Sequence, residues 1–311
     1  MPYIRAVTTA RAPHPDPDGV LCGTRVVSLA LNLPGPAALM RLAEMGATCL
    51  KVEPPARDGA PGDPMAVYAP AAYEAMHRGI ARHVLDLKSD QGRHALYTLL
   101  QEADVLVTSF RPSALSRLGV HAEALGRRFP GLSLVRIVGE HGPEAEHPGH
   151  DLTYEASAGL LGAGMLPAAP FADMAGALLV VEAVLRMVLR RRRDPSATIV
   201  EEVALADAAR FLALPRVWGL MHHTSPIGGG HAGYQVYACR DGQVAVAALE
   251  PRLAQALCRA TALPEEQATR LHEPAAFAHL EAFFADRYCA DVQLLVQAYD
   301  LPAVVMADSS P

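Results

Sequence analysis

Short apolar runs separated by helix-like segments fill residues 25–138, and this alternation restricts what the chain can fold into more than any other feature. Arg25-Val26-Val27-Ser28-Leu29-Ala30 reads as a buried strand. Leu33-Pro34-Gly35-Pro36 opens a helix running to about residue 45, and Thr48-Cys49-Leu50-Lys51-Val52-Glu53 reads as a second strand. Pro36 suits a first helical turn, where its missing N–H has no intrahelical partner to lose. A strand–helix–strand unit of this size implies parallel strands and a right-handed crossover. The pattern continues with a strand at Val84-Leu85-Asp86-Leu87, a helix over 89–102, a strand at Val105-Leu106-Val107, a helix over 113–128 and a strand over 132–138. It predicts a doubly wound, Rossmann-like α/β domain with ligands beyond the carboxyl ends of its strands. The fingerprint GxGxxG is missing from the first turn, so a nicotinamide cofactor is not expected.

The character changes after Asp151 to an Ala/Gly/Leu-rich helical region reaching residue 193, then a strand over 198–203 and a helix over 205–221. Gly228-Gly229-Gly230 reads as a hinge. Two alternating runs, 234–239 and 243–248, flank Arg240-Asp241-Gly242, and Asp-Gly is a strong hairpin signal. The expected organisation is a leader over 1–22, a large domain over 23–205 and a smaller α+β domain over 206–290. Residues 291–311 then form a last segment.

A chain of 311 residues with 51% hydrophobic and 19% charged residues can fill two cores. The five cysteines lack CxxC spacing, so neither a disulfide framework nor a zinc site is expected, and reduced thiols fit a cytoplasmic protein. The N-terminal residues, with Arg5 and Arg11, lack the apolar core of a signal peptide. The most apolar stretch, 175–188, is interrupted by Glu182 and Arg186, so no membrane span is expected. A formal charge of −6 gives no support to nucleic-acid binding. The basic run 190–193 precedes Asp194-Pro195 and suits a helix C-terminus.

Chemistry concentrates in Gly149-His150-Asp151-Leu152-Thr153-Tyr154 and, one loop later, Pro170-Phe171-Ala172-Asp173-Met174-Ala175-Gly176. An imidazole and a carboxylate each stand at the edge of an apolar helical run, where two opposed acid/base groups can be held at one small cleft. By residue type alone a satisfied polar pair is the better explanation of them. Lys88, Arg111 and Arg117 follow predicted strands, where cations can meet an anionic ligand, although each taken singly reads as a solvated surface charge.

Together with Leu33-Pro34-Gly35-Pro36, Val52-Glu53-Pro54-Pro55, Asp86-Leu87-Lys88-Ser89, Ser109-Phe110-Arg111-Pro112 and Leu205-Ala206-Asp207-Ala208, these segments resemble the family III CoA transferase and α-methylacyl-CoA racemase superfamily. The match runs in order from about residue 26 to about residue 306. The resemblance implies an interlocked homodimer that takes an acyl-CoA substrate, with coenzyme A carried by the substrate and no separate cofactor or metal. It implies CoA binding by Leu85, Lys88, Ser109, Phe110, Arg111, Arg117, Gly149, Asp151 and Tyr154. It also implies catalytic roles for His150 and Asp173, with Glu250 orienting the imidazole. Transferases of this family usually carry Gly-Tyr-Asp where racemases carry Gly-His-Asp, so His150 points to racemisation at the α-carbon of a 2-methylacyl-CoA. CoA transfer through an aspartyl-CoA intermediate at Asp173 is the alternative, which the glycine run 228–230 weakly favours, and a non-catalytic CoA-binding protein is a third reading. Two departures stand out: His77-Arg78-Gly79 replaces the common Asn-Arg-Gly, and Pro54-Pro55 replaces a frequent basic residue. Family members also continue beyond the segment matching 301–306 and return to the large domain, so 291–311 is expected to be a truncated return.

Overall fold

A computed structural model describes residues 18–56, 61–162, 164–194 and 197–307. Most of the predicted leader, 1–22, lies outside them. The described chain divides into two units between Ala213 and Leu214.

The larger unit begins with β1 (Arg25–Ser28), α1 (Pro34–Glu44), β2 (Thr48–Glu53), α2 (Met65–Tyr68), α3 (Pro70–Met76) and β3 (Ala81–Val84). It continues with α4 (Asp90–Gln101), β4 (Val105–Thr108), α5 (Pro112–Arg117), α6 (Ala122–Arg128) and β5 (Ser133–Val138). Then come α7 (Asp151–Ala158), α8 (Phe171–Arg191), β6 (Val200–Ala204) and α9 (Leu205–Val217), which carries the chain across the division. The strands form one six-stranded parallel sheet in the order β3-β2-β1-β4-β5-β6. This is the doubly wound α/β fold that the alternation predicts, with the strand order reversing between β1 and β4.

Side chains alternate across the sheet with the period of a strand. Val26, Val105, Val107, Val135 and Ile137 pack into a core with Leu39 and Leu42 of α1 and Val180 and Val184 of α8. Val27, Leu106 and Leu134 face the opposite core, with Leu96, Leu100, Leu115 and Leu125 of α4, α5 and α6. Burial on both faces is why these strands read as continuous apolar runs.

Two elements differ from the sequence reading. The third strand ends at Val84 instead of spanning 84–87. Leu85 makes one last bond to the Glu53 carbonyl, and Asp86 then turns the chain, its Oδ1 accepting the Lys88 N–H at 3.1 Å. The single helix expected over 113–128 is two, because Gly119 adopts φ +65 and ends α5.

The smaller unit holds β7 (Tyr234–Cys239), β8 (Gly242–Ala247), α10 (Pro251–Ala260), α11 (Pro274–Ala285), α12 (Cys289–Ala298) and β9 (Ala303–Ala307). Its antiparallel sheet runs β7-β8-β9. The predicted hairpin turns at Arg240-Asp241, and Asp241 Oδ1 accepts the Cys289 N–H at 2.6 Å, tying the turn to the start of α12. One sheet face packs on Leu257, Leu280, Phe284 and Val292, while Val236 and Val304 are exposed. Residues 291–307, read from sequence as a return toward the large domain, belong to this unit: α12 packs beside β9, and β9 is its third strand.

A buried ionic cluster locks the carboxyl end of β1 in the larger unit. The Lys51 side chain on β2 is 0% exposed. Its ammonium donates to Asp63 and to His77 Nε2 at 3.0 Å, and it forms an ion pair with Glu53, Oε1 lying 3.0 Å away. His77 Nδ1 donates to the Tyr73 carbonyl at 2.6 Å, which leaves Nε2 as the acceptor of a neutral imidazole. Burial, and then the Lys51 charge, push the His77 pKa down, in agreement with that tautomer. The Tyr73 hydroxyl donates to Glu53 Oε1 at 2.6 Å. Asp63, also 0% exposed, spends its other oxygen on the backbone N–H groups of Met65 at 2.9 Å and Asn32 at 3.2 Å. Asn32 sits at φ +64, a left-handed conformation that an asparagine tolerates and this bond secures.

Asp63→Ala leaves a fully buried ammonium short of its nearest counter-charge. It is expected to destabilise the larger unit by about 3–5 kcal/mol, read from urea unfolding curves.

Candidate active site

The loops after β1, β4, β5 and β6 meet at the strand-order reversal and enclose a cleft of about 250 Å³. Leu31 and Asn32 line it from the first loop, Ser109, Phe110 and Arg111 from the second, Gly139 from the third and Leu205 from the fourth. Ser109 Oγ accepts the Leu31 N–H at 3.2 Å and joins the first two loops. His147, Gly149, His150, Tyr154 and Asp173 complete the wall.

His150 is the residue before α7, with extended backbone (φ −140, ψ 164). Thr153 fixes that corner: its hydroxyl accepts the His150 N–H at 3.1 Å and donates to the His150 carbonyl at 2.6 Å. The imidazole is exposed at the cleft. The glycine before it is dictated by packing, because a Cβ at Gly149 would lie 2.3 Å from the Tyr154 hydroxyl and one at Gly139 2.2 Å from it. Tyr154 thus wedges between the two ends of the β5–α7 connection, and burial raises its pKa.

Asp173 stands in the first turn of α8. Its pKa is pushed up to about 7, first by burial and then by the charges of Asp151 and Glu155 on α7. Those two carboxyls also hold the helix start. Asp151 Oδ1 accepts the Asp173 N–H at 2.9 Å, and Glu155 Oε1 accepts the Phe171 N–H at 2.8 Å. Pro170 in the capping position makes no side-chain cap bond, so a neighbouring helix supplies the cap.

A second cleft of about 450 Å³ lies beyond β2 and β3, lined by Val52, Glu53, Pro54, Pro55, Leu85, Lys88, Arg93, Arg117 and Leu118. Phe110 lines both clefts. Arg93 Nη1 donates to the Lys88 carbonyl at 2.8 Å and to that of Leu87 at 3.3 Å, supporting the loop that carries Lys88. Lys88, Arg111 and Arg117 are exposed. Of the site residues read from sequence, the acid cleft gathers Ser109, Phe110, Arg111, Gly149, His150, Tyr154 and Asp173, and the second cleft gathers Leu85, Lys88, Phe110 and Arg117. Asp151 lines neither cleft: its carboxylate holds the backbone of Asp173. Glu250 belongs to the smaller unit, exposed on the residue before α10.

Sequence reasoning passed over Glu155, Asp63 and Lys51. Glu155 carried a readable signal, since Asp151 and Glu155 are four apart on one helix and so share a face. His77, noted only as a departure, turns out to be an acceptor for Lys51.

The chain matches CoA-transferase family III over residues 21–310. The probable fatty acyl-CoA transferase Rv3272 of Mycobacterium tuberculosis is 27% identical, over 94% of this chain and 83% of its own length. The human alpha-methylacyl-CoA racemase is 29% identical, over 79% of this chain and 66% of its own. Among solved structures, a crystal structure of Rv3272 superposes with a TM-score of 0.77 at 26% identity, covering 94% of this chain and 85% of that one.

Asp173 binds its proton more tightly in the folded state than unfolded. The stability this contributes is present below pH 4 or so, the unfolded carboxylate range, and is lost as pH rises through about 7. Asp173→Asn is therefore expected to gain stability relative to the parent between pH 4 and pH 8, by up to about 1.4 kcal/mol per unit of displacement. Urea melts at those two pH values measure it, and equal differences at both would contradict the assignment.

Proposed function

The chain belongs to CoA-transferase family III, and we propose that within it the protein interconverts the two configurations at the α-carbon of a 2-methylacyl-CoA by two-base proton transfer. The observation that carries this reading is the pairing, on one cleft wall, of an exposed imidazole at His150 with a carboxyl at Asp173 whose pKa is about 7. Racemisation needs one group to remove a proton from one face of the α-carbon and another to return a proton to the opposite face. Near neutral pH a carboxyl of this kind is found both with and without its proton, as an acid that must also serve as a base requires.

Neutral His150 takes the α-proton and the thioester becomes an enolate; protonated Asp173 then delivers a proton to the other face. The reverse direction exchanges the two states. The N-terminus of α7 begins immediately after His150, and its dipole favours the developing negative charge. Glu250 is proposed as the carboxylate that orients the imidazole. The CoA nucleotide is proposed to occupy the second cleft, against Leu85, Lys88 and Arg117, with pantetheine passing Phe110 and Arg111 toward the acid cleft. By its resemblance to the family, the protein is read as a cytoplasmic homodimer.

The transferase reading is supported by relatives that carry that activity in their names, the fatty acyl-CoA transferase of Mycobacterium tuberculosis and the acetyl-CoA:oxalate CoA-transferase of Acetobacter aceti among them. The α-proton separates the two. With a chiral 2-methylacyl-CoA in deuterium oxide and no acceptor acid, deuterium is expected in both epimers. His150→Ala is expected to slow abstraction from one face and Asp173→Ala from the other, each by about 10²–10⁴-fold. Absence of α-exchange, with CoA moved to a free carboxylate through an acyl-enzyme trapped at Asp173, would establish the transferase instead. Absence of both reactions with every acyl-CoA tried would leave a binding protein.

Arg111→Ala is expected to weaken CoA binding by about 1.5–3 kcal/mol, the range for hydrogen bonds to charged groups. Titration calorimetry with unchanged affinity would remove Arg111 from the CoA-binding path.

A further inference from the structure

An aspartate at the third position of a helix ordinarily settles as an anion, because the first-turn N–H groups lack intrahelical partners and the helix dipole favours negative charge there. Asp173 holds that position in α8 and does not behave so. The backbone accounts for it. The Met174 N–H already bonds the Pro170 carbonyl at 3.0 Å, so the free donors are those of Phe171, Ala172 and Asp173. Glu155 takes the Phe171 N–H at 2.8 Å, while Asp151 takes the Asp173 N–H at 2.9 Å. Two of the three free first-turn amides are therefore held by α7 and not by the Asp173 carboxylate.

Glu155 is 0% exposed, and its Oε2 has no N–H or O–H donor among the described residues. Burial, and then the neighbouring Asp151 carboxyl, raise its pKa. We infer that Glu155 is a positioning residue for Asp173: by occupying the Phe171 amide at the start of the turn that carries Asp173, it leaves that carboxyl to hold and deliver a proton instead of capping its own helix. The purpose rests on the proposed proton-transfer reading, whereas the arrangement itself rests on the geometry of α7 and α8.

Other titratable groups around Asp173 do not replace this effect. Asp151, His150 and Tyr154 approach from α7 and the residue before it, Tyr68 from the end of α2, and Arg111 and His147 from the cleft wall. Charged groups on the other elements packed against α8 are paired among themselves or along the helix: Arg41 with Glu44 on α1, Arg136 of β5 with Glu202 of β6, and Glu201 of β6 with Arg186.

The test reads Asp173 directly and needs no substrate. Protein labelled with ¹³C at aspartate carboxyls is titrated by NMR, the Asp173 resonance being identified by its loss in Asp173→Asn. Glu155→Leu frees the Phe171 amide and removes a neighbouring charge, and is expected to lower the Asp173 midpoint by about one pH unit or more. Glu155→Gln removes the same charge but retains an oxygen for that amide, and is expected to lower the midpoint by clearly less than Glu155→Leu does. If Glu155→Leu does not fold, Glu155→Ala exposes the same donor and serves in its place. A midpoint unchanged on removing the carboxyl, or lowered equally by Glu155→Gln, would overturn the inference. Because no turnover is measured, failure of the racemase reading would leave this result standing, and the reverse also holds.

Discussion

The Lys51 ammonium, wholly removed from water between two carboxylates and an imidazole, is the interaction on which the geometry of the larger unit turns. A buried cation without partners carries a penalty of several kcal/mol, so the surrounding residues must stay within its reach. Glu53 pairs with its charge, His77 accepts one of its protons, and Asp63 accepts another while gripping the backbone at Asn32 and Met65. The cluster thereby transmits one position on β2 to the loop after β1, which forms part of the acid cleft wall. Charge burial here acts as a specificity device: hydrophobic residues of equal volume could fill the space, but they would not fix the backbone of Asn32.

Both clefts follow from the parallel sheet. Strand order reverses between β1 and β4, so the loops leaving their carboxyl ends diverge and open space between them. The acid cleft lies over β1, β4, β5 and β6, the cationic cleft over β2 and β3, and Phe110, just beyond β4, borders both. One long ligand with an anionic end and a reactive end suits such a pair. In the acid cleft two helices arrive with different tasks: α7 presents His150 from the residue before its start and donates two carboxyls to its neighbour, and α8 presents Asp173. Because α7 holds two first-turn amides of α8, the helix end that would normally trap an aspartate as an anion does not trap this one.

Much of this was legible along the chain. Apolar runs of strand length, separated by helical segments and glycine stops, specify a parallel α/β sheet because each run must be buried on both faces. His150 and Asp173 were readable only as an imidazole and a carboxylate at the edges of apolar helical runs, and it was the family resemblance that grouped them with the residues following the strands. Local conflicts were resolved differently: Gly119 divides a predicted helix through its left-handed backbone, and Asp86 ends a predicted strand by turning back on Lys88. The segment 291–307 was misread because its strand pairs with β8, a contact between residues far apart in sequence that local pattern does not encode.

The sequence by itself determined the fold class and the residue types available for acid–base chemistry, because periodicity and turn chemistry act over a few residues. Only the tertiary structure decided what state those residues occupy. Asp173 is an unremarkable carboxylate until α7 buries it beside two others and takes two of its helix amides, and Lys51 is an ordinary strand lysine until Asp63, Glu53 and His77 close around it. Protonation and charge pairing depend on desolvation and on partners brought together through space, and neither quantity is written in the local order of residues.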